Sequence, residues 1–188
     1  MCRGLDLRYV HPDIVSAKIV RGLYPNITTV ELDTLASETA ASMSTQHPDY
    51  ARLAARICIS QLHKITHDNF SQAILDLYEH GHGFISSDIA DLVRRRGTEI
   101  ERRIHHQRDL DLTYFGYKTL ERSYLLKDRI TGQVIERPQY MFMRVALGIH
   151  CTKSNYDNDH IDEDSRLQDA FETYDYLSMG LFMHASPT

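Results

Sequence analysis

Two blocks of sequence decide the fold class, and the first is Phe115-Gly-Tyr-Lys-Thr-Leu-Glu-Arg-Ser-Tyr-Leu-Leu-Lys127. The aromatic segment at 114–117, which overlaps the start of this block, is expected to form a short turn. Residues 123–127 and 133–137 have the composition of two short strands. Between them, Asp128-Arg-Ile-Thr-Gly132 is typical of a hairpin turn because it carries a glycine near its end. The sequence therefore predicts one small β-hairpin in this region.

The second block is Glu136-Arg-Pro-Gln-Tyr-Met-Phe-Met-Arg-Val-Ala-Leu-Gly-Ile-His150. Pro138 is expected to end the second strand, since proline lacks the N–H that a strand interior needs. A helical pattern of apolar residues resumes at 141–148. Apolar residues at the same spacing predict further amphipathic helices, whose apolar stripes lie within 14–20, 32–43, 53–62, 70–78, 89–104 and 167–181. We therefore predict a mainly α protein with one small hairpin.

The start of one predicted helix is a first candidate binding site. Thr28 and Glu31 have the spacing of a capping box, in which each side chain satisfies a free backbone N–H of the first turn. The N–H groups and partial positive charge at a helix N-terminus also suit a phosphate. Most capping boxes are purely structural, so this pattern alone does not identify a ligand.

Composition limits the class of protein. The chain has 188 residues, of which 42% are hydrophobic and 25% charged, as in ordinary globular proteins. No apolar run approaches the roughly 18 residues of a membrane span, and the first residues lack the apolar core of a secretory signal. Three cysteines without paired spacing argue against a disulfide framework. We therefore expect a cytoplasmic protein without a membrane partner.

A third block, His184-Ala-Ser-Pro-Thr188, follows the first two. In this order the three blocks closely resemble the large subunit of class I ribonucleotide reductase, and the resemblance extends from about Ile14 to the end of the chain. It implies that the full protein reduces ribonucleoside diphosphates to 2′-deoxyribonucleoside diphosphates. It also implies a small subunit with a radical-generating di-iron centre, thioredoxin or glutaredoxin as reductant, and a homo-oligomeric state.

The resemblance also implies a domain organisation. Residues 1–66 would be the helical lobe of a truncated ATP cone, the regulatory lobe of the family. Residues 67–188 would be the helical N-terminal domain of the large subunit. The catalytic α/β barrel of the family would lie beyond Thr188 and is expected to be absent. We therefore expect an N-terminal piece of the enzyme that is inactive by itself.

The ATP cone of the family binds ATP as activator or dATP as inhibitor, and its contact residues fall on Thr29, Asp33 and Lys64 of this chain. An ammonium group is a suitable point charge for a phosphate. The family's cone opens with a basic β-hairpin that closes over the nucleotide. Met1 to Val10 carries Arg3 and Arg8 but no such hairpin, so nucleotide binding by this chain is expected to be weak.

By the same resemblance, Ser186 is expected to help hold the substrate nucleotide, and Thr188 lies near the same place. No residue of this chain is expected to be catalytic, because the radical cysteine and the redox pair of the family lie in the barrel. Cys2, Cys58 and Cys151 match none of them. The histidines and cysteines show no spacing typical of metal ligands, and no metal site is predicted.

Two other functional classes are compatible with the residues. One is a free-standing nucleotide-binding regulatory module without catalysis. The other is a helical nucleic-acid adaptor, suggested by the basic run Arg94-Arg-Arg96. Acidic neighbours balance this run, and the net charge of −5 gives no footprint for nucleic acid. We therefore expect no direct nucleic-acid partner. A barrel with cysteines in the same protein would distinguish the enzyme from the module.

Overall fold

A succession of helices makes up most of the computed structural model, which describes residues 1–80, 83–152 and 162–183. The prediction of a mainly α fold is confirmed. The helices are α1 (Pro12–Arg21), α2 (Thr29–Ser42), α3 (Asp49–Ile65), α4 (Phe70–His80), α5 (Ser87–Arg103), α6 (Tyr114–Ser123), α7 (Pro138–His150) and α8 (Glu163–Ser178), with a short 3₁₀ helix at His106–Asp111. No described helix is both long enough and apolar enough to cross a membrane.

The first compact unit is discontinuous in sequence, because it combines Met1–Ile65 with Asp109–Tyr124. In it α2 packs on α3, α1 packs on α2, and α6 packs on α3. The residues before α1 form turns, and their Leu5 and Val10 are buried in the core. The core of this unit contains Leu5, Val10, Val15, Ala40, Met43, Tyr50, Leu53 and Ala54.

The second unit combines Thr66–Arg108 with the described residues from Leu125 onward. Here α4 packs on α5 and α7 packs on α8. The rings of Phe70 and Tyr140 meet edge to face, with 5.5 Å between their centroids. The chain thus leaves the first unit after residue 65, returns at 109 and leaves again after 124. The predicted domains, 1–66 and 67–188, stay a prediction.

A buried polar group ties α7 to α8 within the second unit. Gln139 is almost fully buried, and its Oε1 accepts hydrogen bonds from Tyr174 Oη at 2.8 Å and from Ser178 Oγ at 2.6 Å. Tyr174 Oη in turn accepts the backbone N–H of His105 at 2.9 Å. Buried polar groups that are all paired fix one arrangement of the helices, because any other arrangement leaves a donor unsatisfied.

The predicted hairpin is present in reduced form. Among the described residues it consists of one antiparallel bridge, between Lys127 and Val134, and not of two extended strands. Asp128 N–H donates to Gln133 O at 2.8 Å, and Gly132 has a φ of 70°. Positive φ favours glycine, so the turn forms where the sequence placed it.

Two details of the sequence-based prediction around this hairpin are wrong. The aromatic residues at 114–117 begin α6 and do not form a turn. Thr113 caps this helix, because its hydroxyl accepts the N–H of Gly116 at 3.2 Å. Pro138 begins α7 and does not end a strand. The first helical position tolerates proline, since its missing N–H would have no partner there.

The last helix is shorter than predicted. Leu181 was expected to continue the apolar stripe of α8, but the helix ends at Ser178. Gly180 has a φ of 69°, and Leu181 N–H donates to Tyr176 O at 3.0 Å. A glycine in the left-handed conformation ends a helix by satisfying its last carbonyl groups in this way.

The close approach of α4 and α5 gives a stability prediction. A methyl group added at Gly97 would overlap the Ser71 hydroxyl, whereas a methyl group at Gly148 in α7 would meet no atom within 4 Å. We expect Gly97→Ala to lower the free energy of unfolding by about 1–3 kcal/mol because of overpacking. Gly148→Ala should raise it by about 0.4–1 kcal/mol, because alanine restricts the unfolded chain. Urea denaturation followed by circular dichroism measures both.

The double variant Gly97→Ala with Ser71→Ala serves as a control, since it removes the overlapping oxygen. It should recover part of the lost stability. Equal effects of the two single glycine substitutions would contradict the close packing of these helices.

Candidate functional site

The N-terminus of α2 is built as the sequence predicted. Thr28 is the cap, and its Oγ1 accepts the N–H of Glu31 at 3.2 Å, while Glu31 Oε2 accepts the N–H of Thr28 at 2.8 Å. Thr28 donates to the Glu31 carboxylate from its N–H and also from its Oγ1, at 2.7 Å, and these two hydrogen bonds lower the pKa of the Glu31 carboxyl. The capping box therefore occupies Thr28 and leaves the exposed Thr29 as the first residue of the helix.

Two of the three predicted effector residues meet in the structure. Lys64 Nζ lies 3.0 Å from Asp33 Oδ2, although 31 residues separate them in sequence. The side chain of Lys64 is 61% exposed and that of Asp33 is 26% exposed. Asp33 lies one helical turn after Thr29, so the start of α2 lies against the end of α3. The ion pair of Asp33 and Lys64 therefore lies beside the N-terminal turn of α2.

This arrangement has the chemistry of a small anion site. It combines a hydroxyl group at Thr29, the N-terminal end of a helix dipole and the ammonium group of Lys64. In the structure the ammonium is neutralised by Asp33, so a phosphate would have to exchange with that carboxylate. The pair is exposed and therefore weak, on the order of 0–1 kcal/mol.

A neighbouring interaction was missed by the sequence analysis. His63, next to Lys64, places its Nε2 at 2.9 Å from Asp109 Oδ2, and Asp109 is completely buried. A carboxylate can only accept, so the imidazole N–H donates. Nothing in the residues around Asp109 distinguishes it from an exposed acid, because the partner lies 46 residues away in the chain.

The other predicted site residues lie elsewhere. Ser186 and Thr188 fall outside the described residues. Cys58 is buried, and burial raises its pKa; burial likewise raises the pKa of Cys151 to about 11. Both thiols are therefore protonated at neutral pH and are poor nucleophiles. Among the residues that the structure describes, no group of three potential ligands could hold a metal ion.

Comparison with known proteins gives sequence matches to one family. The model of the ribonucleotide reductase all-alpha domain matches residues 110–188. The ribonucleoside-diphosphate reductase large chain of Schizosaccharomyces pombe and the large subunit of Danio rerio are each 46% identical to the whole of this chain. The large subunit of Caenorhabditis elegans is 44% identical over 98% of it.

The match covers a limited part of those relatives. The chain spans 22% of the Schizosaccharomyces pombe and Caenorhabditis elegans proteins and 23% of the Danio rerio protein. Identity at this level along the whole chain confirms the resemblance noted in the sequence. The chain is related to the large subunits of ribonucleoside-diphosphate reductase.

Adjacent threonines at the start of α2 allow a matched test of the site geometry. Thr28→Ala should lower the free energy of unfolding by about 1 kcal/mol, because it removes the N-cap. Thr29→Ala should change it by less than about 0.5 kcal/mol, as expected for an exposed side chain outside such features. Chemical denaturation of the two variants is the measurement. A larger loss for Thr29→Ala would show that this hydroxyl is structural and not available to a ligand.

Proposed function

We propose that this chain is the N-terminal, regulatory part of a ribonucleoside-diphosphate reductase large subunit. The complete enzyme reduces ribonucleoside diphosphates to 2′-deoxyribonucleoside diphosphates for DNA synthesis. The observation that carries this proposal is 43–46% identity to reductase large subunits over 98% or more of the chain. The large subunit works in the cytoplasm as a homo-oligomer with a small subunit that carries the di-iron radical centre, and thioredoxin or glutaredoxin re-reduces it.

The part played by this chain is binding and not bond cleavage. Desolvation raises the pKa of the Cys58 and Cys151 thiols, so neither is a ready nucleophile at neutral pH. The resemblance to the family implies that the radical cysteine and the redox pair lie in the catalytic barrel of the complete enzyme, and we assign them there. By itself this chain would not reduce a ribonucleoside diphosphate.

The proposed regulatory ligand is ATP or dATP at the start of α2. Lys64 would contact a phosphate, and the hydroxyl of Thr29 would donate to a second polar group of the nucleotide. Asp33 is paired with Lys64 at 3.0 Å in the structure and would orient the ammonium until the nucleotide arrives. The support for this site is that residues 31 positions apart converge beside one helix N-terminus.

Calorimetry with ATP and dATP tests the effector site directly. The chain should bind either nucleotide weakly, and Thr29→Ala or Lys64→Ala should lower the affinity about tenfold, as expected for one hydrogen bond to a charged group. Lys18→Ala on α1 is the matched control, because Lys18 is an exposed lysine in the last turn of another helix. Tight binding that neither variant changes would remove both assignments.

A chimera tests the function of the whole chain. This chain would replace the matching segment of an active family large subunit, and nucleoside diphosphate reduction would be measured with the small subunit and a dithiol. We expect turnover, with a dATP response that Lys64→Ala weakens. A chimera that binds nucleotide but does not turn over would favour the free-standing regulatory module.

The same chimera tests the substrate assignment. Ser186→Ala should weaken substrate use by about 1–3 kcal/mol, because one hydrogen bond to a charged phosphate is lost. The response to ATP should stay the same, since the effector residues lie in a different part of the chain. The kinetic constants for the nucleoside diphosphate, measured with and without ATP, would reveal either effect. Unchanged constants, or an altered ATP response alone, would show that Ser186 does not hold the substrate.

A further inference from the structure

A half-open cavity of about 630 Å³ lies between α4 and the turn that links residues 128 and 135. On the α4 side, Ala73 and Leu77 are one helical turn apart and form an apolar floor. Phe84, Ile130 and Ile135 add apolar surface from the other sides. We call this cavity the α4 groove. Its volume is within the range of roughly 300–1,000 Å³ that is usual for ligand sites.

Acidic side chains border the α4 groove. Asp76 and Glu79 lie one turn apart on α4, and their side chains are 45% and 56% exposed. Their ion pairs are weak, since Asp76 pairs with the exposed His67 and Glu79 lies 3.9 Å from Arg94. The guanidinium group of Arg129 lies over the Phe84 ring, 4.6 Å from its centroid.

The turn beside the groove holds an apolar side chain in solvent. Ile130 is 90% exposed. Asp128 Oδ1 accepts the N–H groups of Ile130 at 2.9 Å and of Thr131 at 2.6 Å, and the backbone of Gly132 completes the turn. These bonds fix the turn locally, so the exposure of Ile130 does not come from a lack of structure. A single exposed apolar side chain is ordinary by itself, but Ile130 also lines the apolar cavity and therefore extends its apolar surface into solvent.

We propose that the α4 groove binds a basic, amphipathic peptide segment of a partner protein. One large apolar side chain of the segment lies on Leu77 and contacts Ile130 and Ile135. Lysine or arginine residues on either side of it pair with Asp76 and Glu79. Anionic ligands are disfavoured, because two carboxylates border the groove and its guanidinium group is already placed on Phe84.

Model peptides test the chemistry of the occupant. The probe is a fluorescein-labelled octapeptide of alternating leucine and lysine, and its fluorescence anisotropy is titrated with the full chain. Two octapeptides are matched controls: alternating leucine and glutamate lacks the positive charge, and alternating serine and lysine lacks the apolar side chains. We expect the leucine–lysine peptide to bind at least tenfold more tightly than either control and to weaken at high salt. Equal binding of the leucine–glutamate peptide would overturn the proposal.

Variants locate the binding surface. Asp76→Asn with Glu79→Gln removes the border charges, and Ile130→Ser removes the exposed apolar side chain. Each should weaken the leucine–lysine peptide about tenfold while the circular dichroism spectrum stays the same. Asp169→Asn is the matched control, because Asp169 is an exposed acid on α8 that does not line the groove.

Unchanged peptide affinity in both groove variants would overturn the proposal. A second copy of this chain is the other possible occupant of the α4 groove, and analytical sedimentation of the chain tests for it. Self-association that Ile130→Ser abolishes would assign the groove to another copy of this chain and would also overturn the binding of a basic partner segment.

Discussion

One buried carboxylate links the two segments of the first unit, which are far apart in sequence. Asp109 is the residue at which the chain returns to this unit, and it is completely buried. Its Oδ2 accepts a hydrogen bond from His63, and its Oδ1 has no hydrogen-bond partner among the residues that the structure describes. Arg56 donates to the neighbouring carbonyl oxygen of Leu110 at 3.1 Å. Removing the histidine would leave a buried charge uncompensated, which is far more costly than losing an exposed pair.

The hydrogen bond between His63 and Asp109 matters for the candidate site because both His63 and Lys64 belong to α3. His63 and Lys64 are neighbours on the last turns of α3, so one pairs with the returning segment and the other with α2. Arg56, two turns earlier, also donates to the carbonyl groups of Met1 and Arg3. The helix is therefore held on several sides before any ligand binds. The contacts of His63 and Arg56 hold α3 in place, and the position of Lys64 depends on them although neither residue belongs to the site.

Sequence reasoning succeeded where the signal was local and failed where it was not. The box formed by Thr28 and Glu31 could be predicted, because its partners are three residues apart. The residues at 114–117 were predicted as a turn, whereas the structure has the start of α6 there, capped by Thr113. The contact of Asp33 with Lys64 was not derivable as an ion pair, since only the packing of α2 on α3 creates it. Asp109 gave no signal, because a buried carboxylate looks like any other acid in sequence.

The resting state of the candidate site follows from the strength of its single ion pair. Lys64 is already neutralised by Asp33, so the phosphate of the proposed ligand would exchange one anion for another and would not fill an empty positive site. Breaking the pair costs little, because both groups are partly exposed and solvent screens them. The same pair keeps the ammonium next to the helix N-terminus, which would reduce the entropy lost in binding the proposed nucleotide. If the proposed regulatory function holds, the carboxylate of Asp33 orients Lys64 and is easily replaced by a phosphate. The affinity for the nucleotide is then determined by the contacts on the nucleotide's other side.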